Sequence, residues 1–184
     1  EAALAEEATN GRPTGDESFG LRLAELQLRL GALDAARNLL EALPEERARP
    51  AQHARVAAEI HLAAGDLAAV EEVLERAGET PQTAYLHGRL AEARGDGEEA
   101  ERQYRTAAEE PSEYVRATAR LGVLALREGE AEQAIEVLEP ARAQAPGHAE
   151  IVPALIEAYL EEDQLDEAAR VATEALEARP EAAE

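Results

Sequence analysis

Few side chains in this chain can attack a substrate or hold a metal. There are four histidines (His53, His61, His87 and His148), two serines (Ser18 and Ser112) and no cysteine. No Ser or Thr sits in a nucleophile motif, and no Gly-rich loop is placed to cradle a phosphate. No two histidines stand at i,i+4, as helical metal ligands do, and there is no Asp-rich calcium loop. His61 and His87 fall on neighbouring helices, where a shared metal is one reading and half-buried packing is the plainer one. Carboxylates are abundant, but Glu98/Arg102, Glu101/Arg105 and Asp166/Arg170 have the i,i+4 spacing of ion pairs on a solvated helix face. Asp96 and Glu99 read as a helix capping box. This inventory predicts a protein that is not an enzyme and uses no cofactor and no metal.

Charge narrows the partners further. Forty acids stand against 18 bases, for a net charge of −22. A nucleic-acid backbone or an anionic membrane surface would be repelled, so nucleic acid is not an expected partner. The longest apolar run, Leu121–Leu126, is far short of the roughly 20 residues of a membrane-spanning helix, so no direct insertion is expected. Without cysteine there is no disulfide, and the redox compartment stays open between cytoplasm and periplasm. All the bases are Arg. Together with abundant Ala, that reads as the product of a GC-rich bacterial genome. The chain starts at Glu1 rather than Met, which reads as a processed or excised piece.

The elements that must position any site are legible from an internal repeat. A turn residue is followed five positions later by a small or branched apolar residue at Gly31/Ala36, Gly65/Val70, Gly95/Ala100, Gly129/Ala134 and Asp163/Ala168. The intervals between turn residues are 34, 30, 34 and 34 (65−31, 95−65, 129−95, 163−129). Periods of this size mean stacked supersecondary units that bury their apolar faces against neighbours. Each unit reads as helix, tight turn, helix. In residues 115–148, Ala119, Leu121, Gly122, Leu124 and Ala125 give the first helix one apolar face, and Gly129 breaks it. Ala134, Ile135, Leu138 and Ala141 line the second helix until Pro146-Gly147. Pro140 should bend or shorten that second helix.

This pattern resembles the tetratricopeptide repeat family. Leu121, Gly122, Gly129, Ala134, Leu138, Ala141 and Pro146 fill the family's places in one copy, and Gly88, Gly95, Ala100, Tyr104 and Ala107 fill them in another. The last copy keeps Tyr159, Ala168, Ala175 and Pro180, with Asp163 in the place of the turn glycine. The resemblance implies an all-α fold, a right-handed superhelical solenoid of antiparallel helix pairs. It would hold about five units, at 17–50, 51–80, 81–114, 115–148 and 149–182. Residues 1–16 would form an N-terminal helix and linker, the helix being a possible remnant of an upstream repeat. A small residue in mid-helix lets the two helices of a pair approach closely. Ala24, Ala58, Gly88 and Gly122 serve this purpose, and Ile156 does not, so the last pair should be splayed or repacked. The 30-residue interval predicts a second helix one turn short in unit two. Gly78 would end that helix, with Thr80-Pro81 starting the next.

The resemblance also implies a site. First helices of the family line a concave groove that binds a peptide or a partner helix. Its groove-facing places fall here on Arg55, Leu62, Tyr85, Arg89, Arg116 and Arg120, and in the last unit on Pro153, Glu157 and Leu160. Forked guanidinium donors suit carboxylates and acidic segments. Chaperone-binding members clamp a C-terminal carboxylate with Lys/Arg and Asn. Arg55, Arg116 and Arg120 match three of those places, but the Asn places hold Glu59 and Leu86. Two readings of the arginines stay open: recognition of an acidic partner segment, or pairing with Glu59, Glu92 and their neighbours. The expected function is a protein–protein interaction scaffold. The alternative is an adaptor that self-assembles through its repeat ends as a homo-oligomer.

Overall fold

The computed structural model describes residues 15–43 and 50–178. The N-terminal helix expected in residues 1–9, and all but the end of the linker, lie outside these residues. Among the described residues there are ten α-helices and no strand. They are α1 (Gly15–Arg29), α2 (Leu33–Ala42), α3 (Pro50–Ala64), α4 (Leu67–Ala77), α5 (Pro81–Arg94), α6 (Gly97–Ala108), α7 (Tyr114–Arg127), α8 (Ala131–Gln144), α9 (Ile151–Glu161) and α10 (Leu165–Glu177). Each odd-numbered helix pairs with the next across a tight turn, so the fold is all-α and built from antiparallel hairpins. The chain divides into two compact units, residues 1–78 and 79–184.

Turn chemistry makes the hairpins. Gly31, Gly65, Gly95 and Gly129 have φ of 75°, 73°, 80° and 78°, a left-handed conformation that costs a Cβ-bearing residue energy. Asp163 takes the same place with φ 55°; Asp tolerates this region better than most residues. Asp66 and Asp96 then cap α4 and α6, accepting from the backbone N–H of Ala69 and Glu99, each at 3.1 Å.

Each unit has its own core. In the first, Leu21, Ala24, Ala36, Leu40, Val56, Ala57 and Ile60 form one buried cluster. In the second, Ala134, Leu138 and Ala141 of α8 pack in one cluster with Ile151, Leu155 and Ala158 of α9 and with Ala168 and Val171 of α10. The mid-helix glycines explain how the hairpins close. A Cβ on Gly88 would lie 2.6 Å from Tyr104 Cδ1 and Cε1, and one on Gly122 would overlap the Leu138 side chain. Both bulky partners are fully buried. The interval is 16 residues in each case (104−88, 138−122). In the last hairpin the same interval joins Ile156 to Ala172 (172−156), so large and small residues have changed places. Ile156 packs, partly buried, against the cluster that holds Ala168 and Val171. Ile156 is thus accommodated in the packing of this pair.

Pro140, expected to bend or shorten α8, does not shorten it: the helix runs on to Gln144 and has 14 residues. One expectation needs correction, since α4 is not a full turn short. It has 11 residues against 12 in α6, and residues 78–80 join it to α5 where 109–113 join α6 to α7. The missing residues are thus shared between helix end and connection. Gly78 ends α4 with φ 76°, as expected. Thr80 forms a complete capping box with Thr83, with hydrogen bonds of 3.2 Å and 2.9 Å to the opposite backbone N–H groups.

Candidate functional site

The first helices of the second unit share a face organised by Glu92. Glu92 sits near the C-terminal end of α5, and Arg120 and Arg127 project toward it from α7. Arg120 donates to Glu92 through Nε, at 3.2 Å, and through Nη2. Arg127 Nη1 donates at 2.7 Å. The Tyr104 hydroxyl, reaching up from α6, donates to Glu92 Oε2 at 2.9 Å. Arg120 Nη1 also lies 3.6 Å from Glu150, at the start of α9. One carboxylate therefore ties together side chains from three helices, and its partners stand 12, 28 and 35 residues away.

Burial alone would raise the Glu92 carboxyl. The Arg120 guanidinium, the Tyr104 hydroxyl and Arg127 overcome this and hold it below the usual carboxylate range. Burial and then the adjacent Glu92 push the Tyr104 hydroxyl up. A second node lies on Glu139 of α8. It accepts from Tyr159 of α9 at 2.6 Å and from Arg142 at 2.8 and 3.0 Å, while Arg142 also reaches Glu174 of α10 at 2.5 Å. Burial would raise Glu139, and Tyr159 and Arg142 pull it below the usual range. Tyr159 is pushed up to about 12, by burial and then by Glu139.

These directions set a pH dependence. A depressed carboxyl contributes stability that is complete above its unfolded value, near 4.5, and is lost as pH falls through its folded value. A raised tyrosine contributes stability that is complete below about 10 and is lost as pH rises through its folded value, about 12 for Tyr159. Glu92→Gln should therefore lose less stability than the wild type between pH 6 and pH 3. Urea midpoints at the two pH values measure this, and equal losses would contradict it.

Two further arginines, Arg116 and Arg89, lie on these helices beside the Glu92 node. Arg116 lies over the Tyr85 ring, with Cζ 4.1 Å from the centroid, and donates to Glu113 at 3.3 Å. Tyr85 packs against Tyr104 with ring centroids 5.7 Å apart and is 6% exposed. Placed by the resemblance among the groove-facing residues, Tyr85 instead has its ring covered, and it serves to support Arg116. Arg89 of α5 is half-buried and makes no ion pair among the described residues, and its charge is felt at the Tyr104 hydroxyl. On α9, Pro153, Ile156, Glu157, Leu160 and Glu161 line an open, mainly apolar hollow. Glu150, Pro153 and Glu157 follow i, i+3, i+7, so the hollow continues the strip of α9 that begins at the contact with Arg120.

The remaining expected groove residues lie in the first unit. Arg55 of α3 pairs with Glu59 at 3.2 Å and with Glu25 of α1. Leu62 is half-buried in the last turn of α3. Among the described residues, the buried His53 Nε2, His61 Nδ1 and His87 Nε2 have no hydrogen-bond partner. Among the described residues no group of three His, Cys, Asp or Glu is arranged to hold a metal ion, and no helix is long and apolar enough to cross a membrane.

Local pairing was partly legible from spacing. Glu101 and Arg105 pair at 2.6 Å as expected. Arg102 chooses Glu99 over Glu98. Arg170 pairs with Glu167 and Glu174, at 2.6 and 3.1 Å, where Asp166 was expected. The Asp96/Glu99 capping box is half made, because the Glu99 carboxylate turns to Gln103 at 2.9 Å. Sequence reasoning named Glu59 and Glu92 as internal partners of the arginines, and Arg55–Glu59 and Arg120–Glu92 are both made; it missed that Glu92 is the common acceptor of Arg120, Arg127 and Tyr104. The signal was there in the groove register, which puts Glu92 on the same face as Arg120 and Arg127.

Comparison with known proteins bears on the whole architecture. Tetratricopeptide repeat models match residues 51–76, 85–149 and 125–184. No curated protein matches the chain. Among solved structures, TTC0263, a thermophilic tetratricopeptide repeat protein of Thermus thermophilus, is 25% identical, with 90% of this chain and 92% of that one covered and a TM-score of 0.73. A structure of MamA is 19% identical over 91% of this chain and 99% of that one, with a TM-score of 0.59. YrrB, described as a tetratricopeptide repeat protein with an unusual peptide-binding site, is 18% identical over 88% and 86%, with a TM-score of 0.56. At these identities MamA and YrrB share the fold with this chain. Repeat models across both units, glycine-turned helix hairpins and a likeness along nine-tenths of the chain place this protein in the tetratricopeptide repeat family.

Proposed function

We propose that this protein is a non-catalytic interaction scaffold whose second unit takes an extended partner segment along the face of α5, α7 and α9. The observation that carries this reading is a local enrichment of arginine. On a chain with 40 acids and 18 bases, four guanidiniums (Arg89, Arg116, Arg120 and Arg127) share this face with five carboxylates (Glu92, Glu113, Glu150, Glu157 and Glu161). Arg120 is consumed by Glu92 and shapes the site. Arg89, which makes no ion pair among the described residues, points to an acidic group of the partner as its ligand, and the ring-supported Arg116 adds positive potential to the same face. The apolar hollow at Pro153, Ile156 and Leu160 would receive an apolar side chain of the same segment. Arg55 and Leu62 are left out of this reading, because Arg55 already faces two carboxylates.

A random-peptide display screen against the whole chain tests the proposal. Enriched peptides should carry Asp or Glu a few residues from Leu, Ile or Phe. The double variant Arg89→Glu/Arg116→Glu should bind them about tenfold more weakly or worse, with the wild-type affinity falling as salt is raised. A screen that enriches nothing, or a reversed variant that binds equally well, would count against the site.

A further inference from the structure

Arg127 is a surplus partner of Glu92. The Glu92 Oε2 accepts from the Tyr104 hydroxyl at 2.9 Å and from Arg120 Nε at 3.2 Å. Its Oε1 accepts from Arg120 Nη2 and, at 2.7 Å, from Arg127 Nη1. These bonds fill the acceptor sites of a carboxylate. Arg120 grips both oxygens and by itself balances the charge. Without Arg127, Glu92 would still hold Tyr104 and both donors of Arg120. The two arginines also differ in exposure. Arg120 is 16% exposed, whereas Arg127 is 59% exposed and gives Glu92 a single N–H group. Among the described residues the Arg127 guanidinium has no other side-chain partner. So open an ion pair contributes little, and another acid can draw the guanidinium away.

Arg89 supplies the second half of the arrangement. It precedes Glu92 by three residues on α5 (92−89), one turn away on the same face. It is half-buried and makes no ion pair among the described residues. Its charge is felt at the Tyr104 hydroxyl, which is bonded to Glu92. An unmatched guanidinium on α5 and a loosely held one on α7 therefore stand beside the same carboxylate. That carboxylate belongs to the chain itself, and it engages Arg127 as the acid of a bound segment would.

We infer that Glu92 is a built-in competitor for the acidic group of the partner. In the free protein Glu92 holds Arg127. A carboxylate of the bound segment takes Arg127 over and sits between it and Arg89, while Arg120 and Tyr104 keep Glu92 in place. The inference rests on the reading that this face binds an acidic segment, and it adds which guanidinium changes partner and what it leaves. Affinity is thereby held down by the chain, because the new ion pair in part only replaces the old one.

The test measures binding of the tightest peptide from the display screen, and of the same peptide with its acidic side chain changed to the amide. Four forms of the full chain are compared: wild type, Arg127→Gln, Glu92→Gln and the double variant, each checked for folding by helical circular dichroism. Arg127→Gln should weaken the acidic peptide about threefold in the wild type and about tenfold in Glu92→Gln, where Arg127 has no internal acid to leave. Against the amide peptide it should change nothing. Equal losses in the two backgrounds would mean that Glu92 does not compete. Unchanged affinity in Arg127→Gln, or the same loss with the amide peptide, would mean that Arg127 does not take the partner's acid. Each of these results overturns the inference, while weakened binding by Arg89→Glu/Arg116→Glu would still uphold the face as the site. A screen that enriches nothing overturns both. Should Glu92→Gln fail to fold, the wild type decides by NMR. Peptide saturation should move the Glu92 carboxyl carbon resonance toward its position in peptide-free Arg127→Gln, and a resonance that stays in place overturns the inference.

Discussion

Replacing Glu92 with alanine should destabilise the protein by about 2–3 kcal/mol, although the residue lies on a partly open face. Arg120 is the reason. Its side chain is 16% exposed and loses its main acceptor, with Glu150 left at 3.6 Å. Breaking a buried ion pair by removing one partner typically costs about 3–5 kcal/mol, and the residual exposure here reduces that. The Tyr104 hydroxyl loses its acceptor in the same step. Removing the guanidinium as well, in Glu92→Ala/Arg120→Met, should recover part of the loss. A double-mutant cycle by urea unfolding should give a coupling of about 1–2 kcal/mol. If Glu92→Ala unfolds at the wild-type midpoint, the node contributes nothing to stability.

Gly122→Val should be as damaging, for a different reason. Gly in mid-helix normally costs about 1 kcal/mol relative to Ala, so the exchange ought to help. Here a Cβ overlaps Leu138, which is fully buried among Ala134, Ala141, Ile151 and Leu155 and cannot move aside. Overpacking of this kind costs about 1–3 kcal/mol, and the branched side chain adds to it, so a net loss near 3 kcal/mol is expected. The last hairpin supplies the repair, because it carries Ile156 and Ala172 in the corresponding places. Gly122→Ile/Leu138→Ala, which copies that pairing, should be more stable than Gly122→Val alone. Equal midpoints for the two would mean that helix approach at Gly122 does not depend on the exchange of volume.

The two variants also mark what a sequence reading reaches. Gly122 and Gly88 were legible because steric demand is local: a glycine in mid-helix, a large residue 16 positions on, and a turn residue between them form one hairpin. The turn glycines were legible for the same reason, since a positive φ is a property of one residue. Glu92 was harder. Its partners are 28 and 35 residues away, and i,i+4 arithmetic sees only pairs within one helix. Arg102 and Arg170 show the limit of that arithmetic, each choosing among several nearby acids by side-chain geometry that spacing does not encode. Tyr85 was placed on the correct helix, but Arg116 stacking over its ring depends on two helices meeting. In the last hairpin Ile156 stood out as an exception to the pattern, and the structure shows it packed, partly buried, against the cluster of Ala168 and Val171.

The measurement that bears most directly on the proposed scaffold role is mapping of a bound peptide on the intact, isotope-labelled chain by NMR. A peptide selected in the display screen is titrated in, and perturbed resonances are assigned. Perturbations should concentrate at Arg89, Arg116, Arg120, Ile156 and Leu160, along α5, α7 and α9, and Arg89→Glu/Arg116→Glu should abolish them. Perturbations confined to α6, α8 and α10, or unchanged by the charge reversal, would contradict recognition by the first-helix face.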